Sequence, residues 1–244
     1  MHHTWIITKR ELAAYFATPV AFVFIAIFVA LTGALNFYIG RFFERDQASL
    51  DSFFSFHPWL YLLLVPAVSM RLWAEERKSG TIEQLLTLPV STTQAVLGKF
   101  IAAWLFCGIA LALTAPMWIT VNILGEPDNG AIFVGYMGSF LLAGAFLAIG
   151  ICMSALTRNQ IIAFIAGAVV CFMFTFSGVD MVLNAFRGWM PEAFVETIAS
   201  FSFISRFQSV TRGVIELRDV VFLGSLTAFW LFATVVFVDA RKAA

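Results

Sequence analysis

The sequence predicts an all-α, polytopic membrane fold: six transmembrane helices, an N-terminal interfacial helix, a short cytoplasmic helix, and outer re-entrant or interfacial helices before the last span. Three observations predict it. Hydrophobic residues fill 61% of the 244 positions and charged residues only 12%, a balance foreign to ordinary soluble domains. The apolar residues gather into six runs, most of them close to the ~20 residues that cross ~30 Å of hydrocarbon. The charges collect between the runs, and the basic ones favour alternate connections.

Taken in order, residues 3–17 precede the first run and are amphipathic. Trp5, Leu12 and Phe16 fall within a narrow arc of a helical wheel, and Lys9 stands at its edge, so an interfacial helix is expected before Pro19 breaks it. The runs follow at 19–39, 54–70, 100–124, 131–156, 161–183 and 220–238. The second is short and contains Pro66. Small residues at Gly135, Ser139 and Ala143, and at Ala163 and Gly167, have the i, i+4 spacing that lets helices approach closely. Packing within the chain is the reading preferred over a dedicated subunit interface.

Lys9, Arg10, Arg71, Arg77, Lys78, Lys99, Arg158, Arg241 and Lys242 fall on one side of this pattern. Arg41, Arg45, Arg187, Arg206, Arg212 and Arg218 fall on the other. Basic residues near span ends stay in the cytoplasm, so both termini are expected there. Lys9, Arg10 and Glu11 precede a first run too long for a cleaved signal, and that run is expected to remain as an anchor.

Two further segments are amphipathic. Between residues 71 and 99, Gly80 interrupts the helix leaving the membrane, and Thr81 with Gln84 has the spacing of a capping box. A short helix is expected to follow to Leu88, with Ile82, Leu85, Leu86 and Leu88 on one face and Glu83, Gln84 and Thr87 on the other, until Pro89 ends it. Ser91 and Gln94 offer a second capping box to the third span, with Lys99 near the membrane surface. On the outer side, residues 188–213 are punctuated by Gly188 and Gly213. There Phe194, Val195, Ile198 and Phe201 oppose Glu192, Glu196 and Ser200, an interfacial pattern.

The string 75–91, Glu-Glu-Arg-Lys-Ser-Gly-Thr-Ile-Glu-Gln-Leu-Leu-Thr-Leu-Pro-Val-Ser, followed by Leu97-Gly98-Lys99, resembles the cytoplasmic loop of ABC-2 type transporter permeases. The nearest branch by resemblance is the gliding-motility GldF-type permeases. Residues 9–19, 156–160 and 212–219 resemble the same branch in the same order, so the likeness extends over the whole chain. It implies a single ABC-2 transmembrane domain over 1–244, with an interfacial helix at 3–17, a coupling helix at 80–88 and an outer amphipathic segment at 188–213. It also implies a bacterial inner-membrane permease that partners a dimer of ABC ATPase subunits and a second permease chain, identical or related. An auxiliary extracytoplasmic or membrane protein is suggested by analogy. Glu83 is the foremost residue for ATPase coupling, with Glu76, Gly80, Thr81 and Gln84 on the same loop.

Several chemistries lack their residues. Fifteen basic residues balance fifteen acidic ones, which removes the concentrated basic face that nucleic-acid binding requires. A phosphate-binding loop needs G-x-x-x-x-G-K-[ST], and the one Gly-Lys pair, Gly98-Lys99, is followed by Phe100. ATP and Mg are therefore expected on the partner ATPase, with no cofactor in this chain. Cys107, Cys152 and Cys171 lie in apolar runs without CxxC spacing, and His2, His3 and His57 are scattered, so no disulfide framework or metal centre is expected. No paired carboxylates or nucleophile with a base point to an enzyme. Ion coupling would need intramembrane carboxylates, and the runs contain only Asp180, a candidate for an outer vestibule or a helix-end contact. The expected function is a permease coupled to a separate ATPase for export or reorientation. The alternative is a membrane scaffold that transmits ATPase force to an outer partner without transporting anything.

Overall fold

A chain this apolar has to satisfy its backbone within each segment, because hydrocarbon offers no hydrogen-bond partners. The computed structural model describes residues 2–45, 47–81, 90–187 and 191–240, and among them regular structure is helical throughout. In order the helices are α1 (His2–Phe16), α2 (Pro19–Ala34), α3 (Asp51–Ser55), α4 (His57–Ser69), α5 (Arg71–Ser79), α6 (Thr92–Ala112), α7 (Ala115–Leu124), α8 (Asn129–Leu156), α9 (Gln160–Phe176), α10 (Asp180–Arg187), α11 (Glu192–Ser200), α12 (Phe203–Thr211) and α13 (Leu217–Ala240). A π-helical turn, Leu35–Ile39, extends α2.

Among the described residues four stretches are long and apolar enough to cross a membrane: Pro19–Glu44, Thr92–Leu124, Asn129–Leu156 and Leu217–Ala240. The remaining two predicted runs are shorter as helices. The second is α4, of 13 residues with Pro66 inside it. The fifth was expected over 161–183, but α9 stops at Phe176 after 17 residues. The chain turns there because Gly178 lies against Ser202 and Ser205, so close that a Cβ would collide with them. Asp180 consequently opens a separate helix, α10, and is exposed. The third run bends at Leu113–Thr114, since Pro116 has no amide to continue the helix.

Helix α8 is the centre of the bundle, with α4, α6, α9, α12 and α13 packed around it. Its unusual burial follows from its small residues. Gly135 lies beneath the Phe54 ring, Gly138 against Val210, Gly144 against Trp104 and Gly150 against Ser69. Ser139 holds α4 by hydrogen bonds to Tyr61 Oη (2.7 Å) and His57 Nδ1 (2.8 Å). On α9, a Cβ added at Gly167 would stand 3.5 Å from both Gly150 Cα and Pro66 Cβ, so the helices are in close contact there. Both predicted small-residue ladders therefore serve packing inside the chain.

The two ends of the bundle differ. One carries α1, α5 and the start of α6, and it also receives the end of α13, where Thr92 Oγ1 donates to Asp239 Oδ1 at 2.6 Å. At the other end, Leu50, Asp51, Pro127, Asp128, Thr211 and Arg212 line a common cleft of about 310 Å³. There α11 and α12 cap the bundle, with Val195, Phe203, Phe207 and Val210 buried.

Candidate functional site at the base of the 82–89 loop

The loop that carries the coupling prediction springs from two elements, α5 before it and α6 after it. Helix α5 ends at Gly80, whose φ of +75° is the left-handed conformation that glycine adopts without a Cβ penalty. Thr81 Oγ1 lies 2.9 Å from Ser79 Oγ. Glu83 and Gln84, and with them the box expected between Thr81 and Gln84 and most of the 80–88 helix, lie outside the described residues. Beyond the loop the second predicted box is present. Gln94 N donates to Ser91 Oγ and Ser91 N to Gln94 Oε1, each at 3.2 Å, launching α6.

At this end of the bundle α1, α5 and α6 are joined by a knot of charges. Lys99, expected near the membrane surface, is buried within the protein at 1% exposed. Its Nζ donates to Glu76 Oε1 at 2.7 Å and Glu11 Oε1 at 3.1 Å, and lies 5.3 Å from the centre of the Trp73 ring. Arg10 Nη2 donates to Glu11 Oε1 at 2.7 Å and stands 3.8 Å from Glu76. Two cations and two carboxylates thus cancel where an unpaired charge would be costly. Burial pushes the Glu11 carboxyl up, but the Lys99 and Arg10 charges outweigh it and hold the group below its ordinary value. Glu76, predicted as a loop residue facing a partner, is turned inward and shares this knot.

Helix α1 docks chiefly through the stripe beside the exposed Trp5. Trp5 is 53% exposed, with Lys9 over its ring, while Thr4, Ile7, Thr8, Glu11 and Tyr15 follow the i, i+4 rows toward the bundle. Gly98 makes the approach possible, since a Cβ there would meet Ile7 Cγ2 at 2.7 Å. Thr8 Oγ1 donates to the Gly98 carbonyl at 3.2 Å. Tyr15 Oη donates to the Val68 carbonyl at 3.0 Å, and burial pushes its phenol far above the ordinary value, so it remains a donor. Of the apolar arc only Trp5 is exposed, whereas Leu12 and Phe16 are half-buried and pack against the core, with Phe16 edge-on to Phe106.

Helix α5 is fixed to the centre of the bundle by one hydroxyl. Ser154 Oγ of α8 accepts from Trp73 N and Ala74 N at 3.1 Å and donates to the Met70 carbonyl at 2.7 Å, bridging the break between α4 and α5. Arg77 Nη1 donates to the Ala155 carbonyl at 2.5 Å. Neither Ser154 nor the depth of Lys99 carries a motif. The one trace is that Glu11, Glu76 and Lys99 all fall in segments bordering apolar runs, on the same predicted side.

The far end has a smaller counterpart. Asp219, 4% exposed at the start of α13, accepts from Ser209 Oγ at 2.7 Å and Arg206 Nη1 at 3.2 Å. Arg206 also donates through Nε to the Ser200 carbonyl at 3.1 Å. Asp180 stands apart from this clasp.

Sequence comparison agrees with this architecture. The pattern of the family described as ABC-2 family transporter protein matches residues 8–178. Over 87 residues the chain is 36% identical to the probable multidrug ABC transporter permease YbhS of Escherichia coli K12, a stretch covering 36% of this chain and 22% of that protein. The same permease from Escherichia coli O157:H7 matches to the same extent. The match therefore spans about a fifth of the length of these relatives. With the family pattern running from α1 through α9, across all three helices of the charge knot, this chain belongs to the ABC-2 transporter family.

Proposed function

We propose that this chain is the transmembrane subunit of a bacterial inner-membrane ABC-2 exporter driven by a separate ATPase. The observation that carries the reading is the knot at Lys99. It joins the surface helix α1, the loop-bearing helix α5 and the root of α6, so that displacement of the 82–89 loop would move all three together. The end bearing α1 is then cytoplasmic, both termini lie there, and α4 and α9 complete six spans. Two ATPase subunits would bind ATP and Mg and press on the 80–88 segment, with Glu83 as the foremost contact and Gly80, Thr81 and Gln84 beside it. Glu76 acts from beneath as a positioning residue. A second permease chain, identical or related, completes the pathway. Kinship nearest the gliding-motility branch, and an auxiliary extracytoplasmic partner, belong to the same proposal and rest on the strings at 9–19, 75–91, 156–160 and 212–219.

Co-purification of the chain with its ATPase, followed by turnover measurement in proteoliposomes, tests the reading. Glu83→Arg is expected to leave insertion intact and lower ATP turnover. Glu76→Gln is expected to leave ATPase binding intact while uncoupling turnover from transport. Unchanged turnover and transport in both variants would refute the assignment. An ATPase that answers only to an extracytoplasmic protein, with nothing transported, would replace it by the scaffold reading.

A further inference from the structure

Beside the charge knot lies an open cleft of about 350 Å³, whose lining includes Tyr15 and Thr18 of the α1 end, Arg71 and Glu75 of α5, and the hydroxyls of Ser79 and Thr81. Its depth follows from its walls. Thr18 is the turn between the surface helix α1 and α2, and Arg71 is the first residue of α5 as the chain leaves α4. Both sites are where apolar helices end, so with α1 lying on the membrane the cleft is level with the lipid headgroups.

The charges facing it are unusual. Lys99, Arg10, Glu11 and Glu76 pair with one another in the knot, although Glu76 Oε2 is left without a hydrogen bond. That leaves Arg71 and Glu75, one helical turn apart at the i, i+4 spacing that ordinarily pairs opposite charges. Here no ion pair joins them. The Arg71 guanidinium lies over the Tyr15 ring, 4.5 Å from its centre, and Glu75 remains exposed. A cation and an anion thus line one wall of an open cleft at headgroup depth without pairing.

We propose that this cleft binds the headgroup of a zwitterionic phospholipid carrying a primary ammonium, namely phosphatidylethanolamine. Its phosphate is taken by Arg71, whose planar fork suits phosphate oxygens, and its ammonium by Glu75, with Ser79 and Thr81 as neighbouring hydroxyls. A choline headgroup has no N–H to give Glu75, and the aromatic face that would attract it is already covered by Arg71. An anionic headgroup would meet the Glu75 carboxylate unneutralised. The lipid would tie the root of the loop to the membrane surface. The inference rests on the surface placement of α1 and goes beyond the exporter reading.

Native mass spectrometry of the intact chain, with its ATPase where the two co-purify, tests it with phosphatidylethanolamine, phosphatidylcholine and phosphatidylglycerol at equal concentration. Phosphatidylethanolamine should be retained about fivefold over either competitor, the scale of one partly exposed ion pair. Arg71→Ala and Glu75→Gln should each abolish the preference, and Arg71→Lys should keep part of it. Glu75→Gln alters an exposed side chain and costs no packing, so it remains informative if Arg71→Ala fails to fold. Equal retention of the three lipids, or an unchanged preference in Glu75→Gln, would overturn the proposal. So would occupancy by free phosphoethanolamine without phosphatidylethanolamine, or variants that lose only ATPase binding, which would make the cleft a protein surface. ATPase co-purification is scored on the same samples, so a lost lipid preference in an intact complex refutes the headgroup site alone.

Discussion

The bundle has a buried ion cluster at each end, and the two are built differently. At the end bearing α1, Lys99 pairs with Glu76 and Glu11, which lie 23 and 88 positions away in sequence, and the pairing draws three helices together. At the far end, Arg206 and Asp219 are 13 positions apart, and the cluster closes one local turn, α12 onto the start of α13. A distant knot makes helices move as a unit, whereas a local clasp shapes one segment and leaves the others unaffected. This is the arrangement expected if force enters at the α1 end and the far end only rearranges its cap.

The strongest way to break the comparison is to remove the central cation. Lys99→Met should cost about 3–5 kcal/mol, because it leaves two carboxylates buried against each other. Thermal unfolding of the purified protein checks this, and Glu11→Gln with Glu76→Gln in the Lys99→Met background should recover most of the loss. Asp219→Asn should cost about 1.5–3 kcal/mol, the range of hydrogen bonds to charged groups. The clasp being local, proteolysis is expected to increase over 191–213 while α1 stays docked.

Acid should separate the two ends as well. The folded-state pKa of Glu11 lies below its ordinary 4.5, so its stabilisation is fully present above that value and is lost as pH falls through the lower, folded one. Hydrogen exchange of α1 should accelerate in that acid range, and Glu11→Gln should remove the pH dependence. The smallest effect is expected from Arg10→Ala. Its side chain is 53% exposed, and solvent-facing pairs contribute under about 1 kcal/mol. A loss as large as that of Lys99→Met would mean that the knot is an exposed network and not a buried centre.

Much of the fold was legible because the bilayer imposes a length and a polarity on each segment. The runs at 131–156 and 220–238 fall inside α8 and α13, and the Ser91–Gln94 box and the Gly80 break stand where the spacing placed them. The run at 161–183 was overextended because hydropathy does not register Gly178 meeting Ser202 and Ser205 from a distant part of the chain. The stripe of α1 that docks on the bundle carried no such local signal. An apolar arc on a helix marks what it offers to an apolar neighbour, and beside a membrane both lipid and the bundle are apolar, so the arc alone does not pick the docking face.

The sequence alone determined the membrane class, the placement of most helices, and the likeness to ABC-2 permeases. Those are properties of local runs and local strings, which transfer free energy and capping chemistry settle segment by segment. Only the tertiary structure decided that Lys99 is buried, that Glu76 turns inward, that Ser154 holds the α4–α5 break, and that Arg71 and Glu75 line a cleft without pairing. Each depends on which helices become neighbours, and a charge has no fixed burial or partner until packing supplies both.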